Sequence, residues 1–260
     1  MTQEKPAPEI KTAATILLLR DEPEFEVLMV ERHHQIDFAS GALVFPGGKW
    51  HAQDHDEAWL DHLIGAEDFD SEQRALRIAA IREVFEEAGV LLGRKGDAIF
   101  SGEAASMEVR AAVDRGEKPF IEVVRDLGVR LDLHALTVFA RWITPELMPK
   151  RFDTWFYIAV APKDQLAACD GRETVDATWI SPSEALRKAQ TGERKVIFPT
   201  RMNIQLLAEA SSAQDAIAQA NARTLVTVLP KVEDRPEGKV LVLPPDAGYG
   251  VVAEPLASAV

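Results

Sequence analysis

Glu83, Glu86 and Glu87 stand three and four residues apart in the run Arg82-Glu83-Val84-Phe85-Glu86-Glu87-Ala88-Gly89. On a helix these spacings bring three carboxylates to one patch, where like charges repel unless cations sit among them. A cluster of oxygen donors suits Mg²⁺ or Mn²⁺. For a Glu-rich helix taken alone, the plainer reading is a solvated acidic face, since each like-charged pair costs only about 0.2–0.5 kcal/mol. The helix by itself therefore decides nothing.

The composition narrows the field. With 29 Lys+Arg against 42 Asp+Glu, the 260-residue chain has a formal net charge of −13, which excludes a protein that coats nucleic acid. An acidic protein that handles a phosphate-bearing anion needs cations at its site. Hydrophobic residues at 47% and charged residues at 27% exclude disorder as the main state. The lone Cys169 allows neither an internal disulfide nor a cysteine zinc cage, and points to a reducing compartment. The apolar run Ala13 to Leu19 is too short to span a bilayer, and the polar stretch before it, with Pro6 and Pro8, does not resemble a secretory signal. These features read as a soluble, cytoplasmic protein with a small-molecule substrate and neither a nucleic-acid nor a membrane partner.

The carboxylates need a scaffold. Thr15 to Leu19 and Phe25 to Val30 read as strands joined by a turn. Ala42 to Phe45 reads as a third strand that stops at Pro46-Gly47-Gly48, where a continued ladder is not expected. A short helix is expected over Asp56 to Ile64, then a longer one from Ser71 to Ala88 capped by Gly89. Ile81, Val84, Phe85 and Ala88 form the apolar stripe of that longer helix, with the glutamates opposite. Helices over Ala104 to Arg115 and Pro119 to Leu127 look like an inserted lid or flank. Strands follow over Ala135 to Ile143 and Phe152 to Val160, and Thr178-Trp179-Ile180 runs into a helix capped at Ser181. One helix is expected over Arg201 to Ala222, with strand-like pieces at Leu225 to Leu229 and Val240 to Leu243. The expected organisation is a polar tail (1–11), one domain (12–224) with insertions at 55–75 and 93–134, and an extension (225–260) packed on it.

Together with the upstream Phe45-Pro46-Gly47-Gly48 turn, the glutamate helix resembles the signature of the Nudix hydrolases. That signature is a glycine, five residues, a glutamate, seven residues, and R-E-apolar-x-E-E-x-G-apolar, and Arg82 to Val90 match every specified position of its second half. The first half departs: Asp54 stands in the glutamate position, and 27 residues, not seven, separate it from Arg82, an insertion of 20. An interrupted box followed by Arg141-Trp142-Ile143-Thr144-Pro145 and Arg151-Phe152-Asp153-Thr154 resembles the Nudix subfamily that includes the peroxisomal coenzyme A diphosphatase of animals.

The resemblance implies an α/β (α+β) fold, a mixed β-sheet sandwiched between helices, with helical insertions. It implies hydrolysis of a nucleoside diphosphate linked to another group, coenzyme A or a related compound, assisted by Mg²⁺ or Mn²⁺. Glu86 and Glu87 would be metal ligands, Glu83 a ligand or water activator, and the Gly48 carbonyl a further ligand, with Arg82 orienting a glutamate. Asp54 or Asp56 would support the loop. Phe45, Gly47, Arg141 and Arg151 are candidates for substrate contact, and Glu173 on a later loop is a candidate general base. Alternatives are an ADP-ribose or nucleotide-sugar pyrophosphatase and a nucleotide-binding module without activity. The exposed insertions and the tail could build a homodimer. His33, His34, His51, His55 and His62 read as surface histidines, and Trp155-Phe156-Tyr157 as sheet core.

Overall fold

The continuous apolar run near the start becomes strand β1 (Ile10–Arg20), buried on both faces. Ala14, Ile16 and Leu18 enter one core, and Leu17 and Leu19 enter the other, as the two-residue period of a strand requires. The computed structural model describes residues 8–33, 40–169, 174–236, 238–250 and 252–256. Along this part of the chain β1 is followed by β2 (Glu26–Arg32), β3 (Leu43–Val44), β4 (Gly47–Lys49), β5 (Leu63–Ile64), α1 (Ser71–Ala88), β6 (Gly93–Lys95) and β7 (Ala98–Ile99). Next come α2 (Met107–Asp114), α3 (Phe120–Leu127), β8 (Arg130–Asp132), β9 (Thr137–Ile143), β10 (Arg151–Val160), β11 (Thr174–Ile180), α4 (Pro182–Thr191), α5 (Phe198–Leu207) and α6 (Ala213–Ala222). Four short strands follow, β12 (Thr227–Val228), β13 (Lys231–Arg235), β14 (Gly238–Val242) and β15 (Ala253–Pro255).

The main sheet has the order β11-β2-β1-β10-β9-β12, with β3 added to β2 and β4 to β1. It is mixed: β1 runs parallel to β10, β12 parallel to β9, and the other pairs of that path are antiparallel. Helix α1 covers one face with Leu76, Ile81, Val84 and Phe85, and α4, α5 and α6 cover the other with Ala185, Ile204 and Ala216. Both faces being covered explains why neighbours Phe156 and Tyr157 are buried together, one in each core.

Three expectations are corrected. Gly47–Lys49 continues as a ladder on β1, with Thr15 opposite Gly47 and Ala14 opposite Gly48. The close approach is open only to glycine, since a Cβ on Gly47 would lie 2.5 Å from Thr15 Oγ1. The short helix expected over Asp56 to Ile64 is a 3₁₀ helix, Glu57–His62, that ends earlier; Trp59 anchors it through Nε1 to the Gln53 carbonyl, and Leu63 and Ile64 are drawn into pairing with β8. The helix expected over Arg201 to Ala222 is split into α5 and α6. Ser212 accepts from Asp215 N to start α6, and the Asp21 carboxylate accepts from Ala213 N, so side-chain caps outcompete helix continuation there.

Residues 93–134 flank α1. Val113, Phe120, Val123 and Val124 belong to its core, and the Phe120 ring lies 5.2 Å from that of Phe85. Arg110 of α2 is 3% exposed and donates to the Phe85 and Glu86 carbonyls and to Ala168 O. It satisfies the Glu86 carbonyl, which the last turn of α1 leaves without an intrahelical partner, and is a second donor to the Phe85 carbonyl, which Gly89 N also reaches; a cation there also meets the negative end of the helix dipole. In the tail, Leu241 and Leu243 join the second core. We expect Arg110→Met to lower unfolding free energy by about 2–4 kcal/mol, because the Glu86 carbonyl loses its donor and the Phe85 and Ala168 carbonyls lose the guanidinium. Urea denaturation measures this, and a midpoint equal to wild type would show that the contact is dispensable.

Candidate active site

The site is assembled by α1 and the turn at residues 45–48. Asp70 caps the N-terminus of α1 by accepting from Gln73 N at 2.7 Å. Gly89 ends the helix with φ 74°, a left-handed conformation glycine adopts without strain, and its N–H reaches Phe85 O. Every residue from Ala75 to Ala88 is buried, so the glutamates do not form a solvated face. Glu83, Glu86 and Glu87 are 7%, 7% and 3% exposed, and buried charges persist only with partners.

The main partner is Arg82, 3% exposed. Its Nε and Nη2 donate to the two oxygens of Asp54 at 3.2 and 3.1 Å. Nη1 donates to Glu83 at 2.8 Å and to Glu86 at 3.2 Å, and Nη2 also donates to the Lys49 carbonyl at 2.8 Å. Burial by itself lowers the Arg82 pKa, but Glu83, Asp54 and Glu86 outweigh it and hold the guanidinium above its ordinary value. The carboxylate of Asp54 accepts in turn from His51 N at 2.7 Å. Asp54 thus ties the start of the long loop to the glutamate helix.

The glutamates do not all meet on one patch. Glu83 and Glu86 share Arg82 and line the cleft, whereas Glu87 Oε2 accepts from Gly47 N at 3.0 Å. Among the described residues, no three His, Cys, Asp or Glu side chains are close enough to share one ion. The donors nevertheless suit a hard divalent cation: buried carboxylates gather beside a glycine turn whose backbone is uncovered by side chains. A Cβ on Gly48 would lie 2.5 Å from Glu83 Oε1. Burial first, and then Glu83, push the Glu86 carboxyl up to about 8 against the opposing pull of Arg82. The pair is thus short of positive charge, which oxygen-bound Mg²⁺ or Mn²⁺ would supply.

The cleft has a volume of about 890 Å³. Phe45, Gly47, Gly48 and Arg151 line it together with Trp142, Phe152, Phe156 and Phe198. Arg151 is buried and donates through Nε to the Thr144 carbonyl at 3.1 Å. Arg141 is not among the lining residues. It pairs with both oxygens of Asp153, at 2.9 and 2.6 Å, and stacks over Trp155, so the phosphate role expected for it is not supported. Glu173 and His34 lie outside the described residues. His51 and His55 are exposed, and Arg125 donates to His62.

Sequence reasoning missed three contributors. Arg110 carried only the weak signal of an arginine three residues before Val113, with which it forms the buried side of α2. The Lys49 carbonyl gave none. Tyr249 accepts from Trp142 Nε1 at 3.0 Å and donates to Asn203 Oδ1 at 2.8 Å, which ties the cleft wall to the tail through a contact that sequence spacing does not show.

The family model for the NUDT19 Nudix domain matches residues 65–205, more than half of the chain. The chain belongs to the Nudix hydrolase family. It is similar to the acyl-coenzyme A diphosphatase NUDT19 of Gallus gallus, with 27% identity over 92% of this chain and 79% of that protein. The Homo sapiens protein of the same name is 28% identical over 86% of this chain and 72% of its own length. The crystal structure of a NUDIX hydrolase from Alicyclobacillus acidocaldarius superposes with a TM-score of 0.71 at 28% identity, over 84% of this chain and 97% of that one. The fold and the enzyme class expected from the signature are therefore correct. No helix among the described residues is long and apolar enough to cross a membrane.

The raised Glu86 pKa has a definite sign. The folded state holds this proton more tightly than the unfolded chain, so its stabilising contribution is complete below pH 4.5 and is lost as pH rises through about 8. Without metal, thermal stability should therefore fall across this window, and Mg²⁺ should raise the melting temperature more at pH 8 than at pH 5.5. A Glu86→Gln protein should show a flatter profile. Identical slopes for the two proteins would remove Glu86 as the source.

Proposed function

We propose that the cleft hydrolyses the diphosphate of coenzyme A or an acyl derivative. The observation that carries the site is the buried Asp54–Arg82–Glu83–Glu86 cluster opening on the 890 Å³ cleft. The substrate class is supported by the names of the two animal relatives and by the make-up of the cleft. Its carboxylate end suits the diphosphate, and the apolar stretch formed by Trp142, Ile143, Met148, Phe152 and Phe198 suits an uncharged arm.

Glu86 and Glu87 are assigned as metal ligands, Glu83 as a ligand or water activator, and the Gly48 carbonyl as a further ligand. A bound divalent cation supplies charge neutralisation at the diphosphate and acidifies a water molecule. The chain's own groups do the rest. Arg82, fixed by Asp54, holds the Glu83 and Glu86 carboxylates at fixed positions, so no reorganisation is needed during reaction. Glu83, beside the Gly48 backbone, is placed to accept a proton from the attacking water at a carboxylate oxygen. Arg151 offers positive charge along the cleft, and Phe45 and Gly47 shape the wall that the substrate meets. The lone cysteine supports a reducing, cytoplasmic setting.

Incubation with coenzyme A and Mg²⁺ or Mn²⁺ in ¹⁸O-water, followed by mass spectrometry, tests the activity. Release of phosphopantetheine and adenosine 3′,5′-bisphosphate is expected, and the label identifies the phosphorus attacked. Glu86→Gln and Glu87→Gln should each lower kcat on the order of 100-fold or more while circular dichroism stays that of wild type. A rate near wild type in either variant would remove that residue from the metal site.

A further inference from the structure

Three short segments lie in register at the end of β2. Arg32 N donates to the Ala42 carbonyl at 3.0 Å, Leu43 N donates to the Lys195 carbonyl at 2.8 Å, and Ala42 bridges Lys195 in parallel. Glu31 and Arg32 are successive strand residues, so their side chains leave on opposite sides. Glu31 is ion-paired with Arg194, and Asp176 lies 3.9 Å from the same guanidinium. Arg32 and Lys195 instead line the cleft. Among the described residues neither side chain has a carboxylate or hydrogen-bond partner, and Arg32 Nε is buried without an acceptor.

An unpaired guanidinium N–H withdrawn from water costs free energy. A chain with 42 acidic residues places none of its described ones here, although it pairs Arg194 one residue away. The position relative to the carboxylates is also defined. β3 runs antiparallel to β2, and β2 and β4 run antiparallel to β1, so the chain reverses at residues 45–46 between Ala42 and Gly48, six residues that span at most about 20 Å. Arg32 and Lys195 thus line the same cleft as Glu83, but their backbones are joined through Ala42 and not through the glycine turn.

We propose that Arg32 and Lys195 form a second anion subsite that receives a phosphomonoester of the substrate, separate from the diphosphate. This rests on the reading of the cleft as a nucleoside-diphosphate site. A planar donor fork beside an ammonium matches a dianionic, three-oxygen group better than a single carboxylate would. A nucleotide phosphorylated on its ribose carries such a group close to its diphosphate, and a nucleotide sugar or ADP-ribose does not. The subsite is thus the element that selects the substrate class.

The test compares coenzyme A with 3′-dephospho-coenzyme A. Wild type should favour coenzyme A by roughly tenfold or more in kcat/KM, chiefly through KM, the range of a charge-assisted hydrogen bond. Arg32→Gln should bring the ratio close to one, Lys195→Gln should reduce it, and Arg32→Lys should restore part of it. A ratio unchanged in Arg32→Gln, or equal losses on both substrates, would overturn the subsite. Calorimetry on the metal-free protein with adenosine 3′,5′-bisphosphate and 5′-AMP separates this from the choice of substrate. If wild type hydrolyses neither coenzyme, the coenzyme A reading fails. The subsite then stands if the bisphosphate binds more tightly in wild type but not in Arg32→Gln, and it falls if the two nucleotides bind alike.

Discussion

The guanidinium of Arg82 is the constraint on which the rest of the site depends. Its nitrogens reach Asp54, Glu83, Glu86 and the Lys49 carbonyl, joining the loop after the glycine turn to the helix that carries the carboxylates. Glu83 and Glu86 could not stay buried side by side without it, because each would face both desolvation and the other's charge. A lysine could not replace it, since an ammonium cannot serve two oxygens of Asp54 and two glutamates in fixed directions. Even so, the arrangement leaves the carboxylates under-compensated. That residual deficit is what a bound divalent cation would offset in the reading proposed for the site.

The 20-residue insertion separates Asp54 from Arg82 in sequence but not in space. The detour contains two 3₁₀ turns and β5, which pairs with β8, so its far end is fixed to a small sheet beside α1. Loop closure grows only slowly more costly with length, and the bidentate contact of Asp54 with Arg82 restores the geometry that a shorter box would give by connectivity. Arg110 acts about one turn further along α1, where it binds the carbonyls of Phe85 and Glu86. The loop after the glycine turn and the helical segment after α1 thus brace the same C-terminal half of that helix.

The cleft carries charge of both signs. Glu83 and Glu86 line it and share one arginine, while Arg32 and Lys195 line it without an ion-pair partner among the described residues. The tail contributes to the cleft wall, through Leu241 and through Tyr249, which fixes Trp142.

The sequence determined what depends on local periodicity and residue type. The span of α1 with its Gly89 cap, the strands around Thr15 to Val30 and at β9 and β10, and the capped start of α4 were all legible, because capping and side-chain alternation act over a few residues. So was the identity of the glutamates and Arg82, because the box is a contiguous string. What only the tertiary structure decided was where those side chains point. Glu87 turned to Gly47 N, Arg141 was claimed by Asp153, and Asp54 was brought back to Arg82 across 28 positions. The helix break at Ser212 and the ladder at Gly47 likewise depended on partners distant in sequence. A carboxylate or a guanidinium has the same type wherever it sits, and its role is set by which oppositely charged or hydrogen-bonding group the fold packs against it. Those choices are made by contacts between segments far apart in the chain, which composition and spacing do not encode.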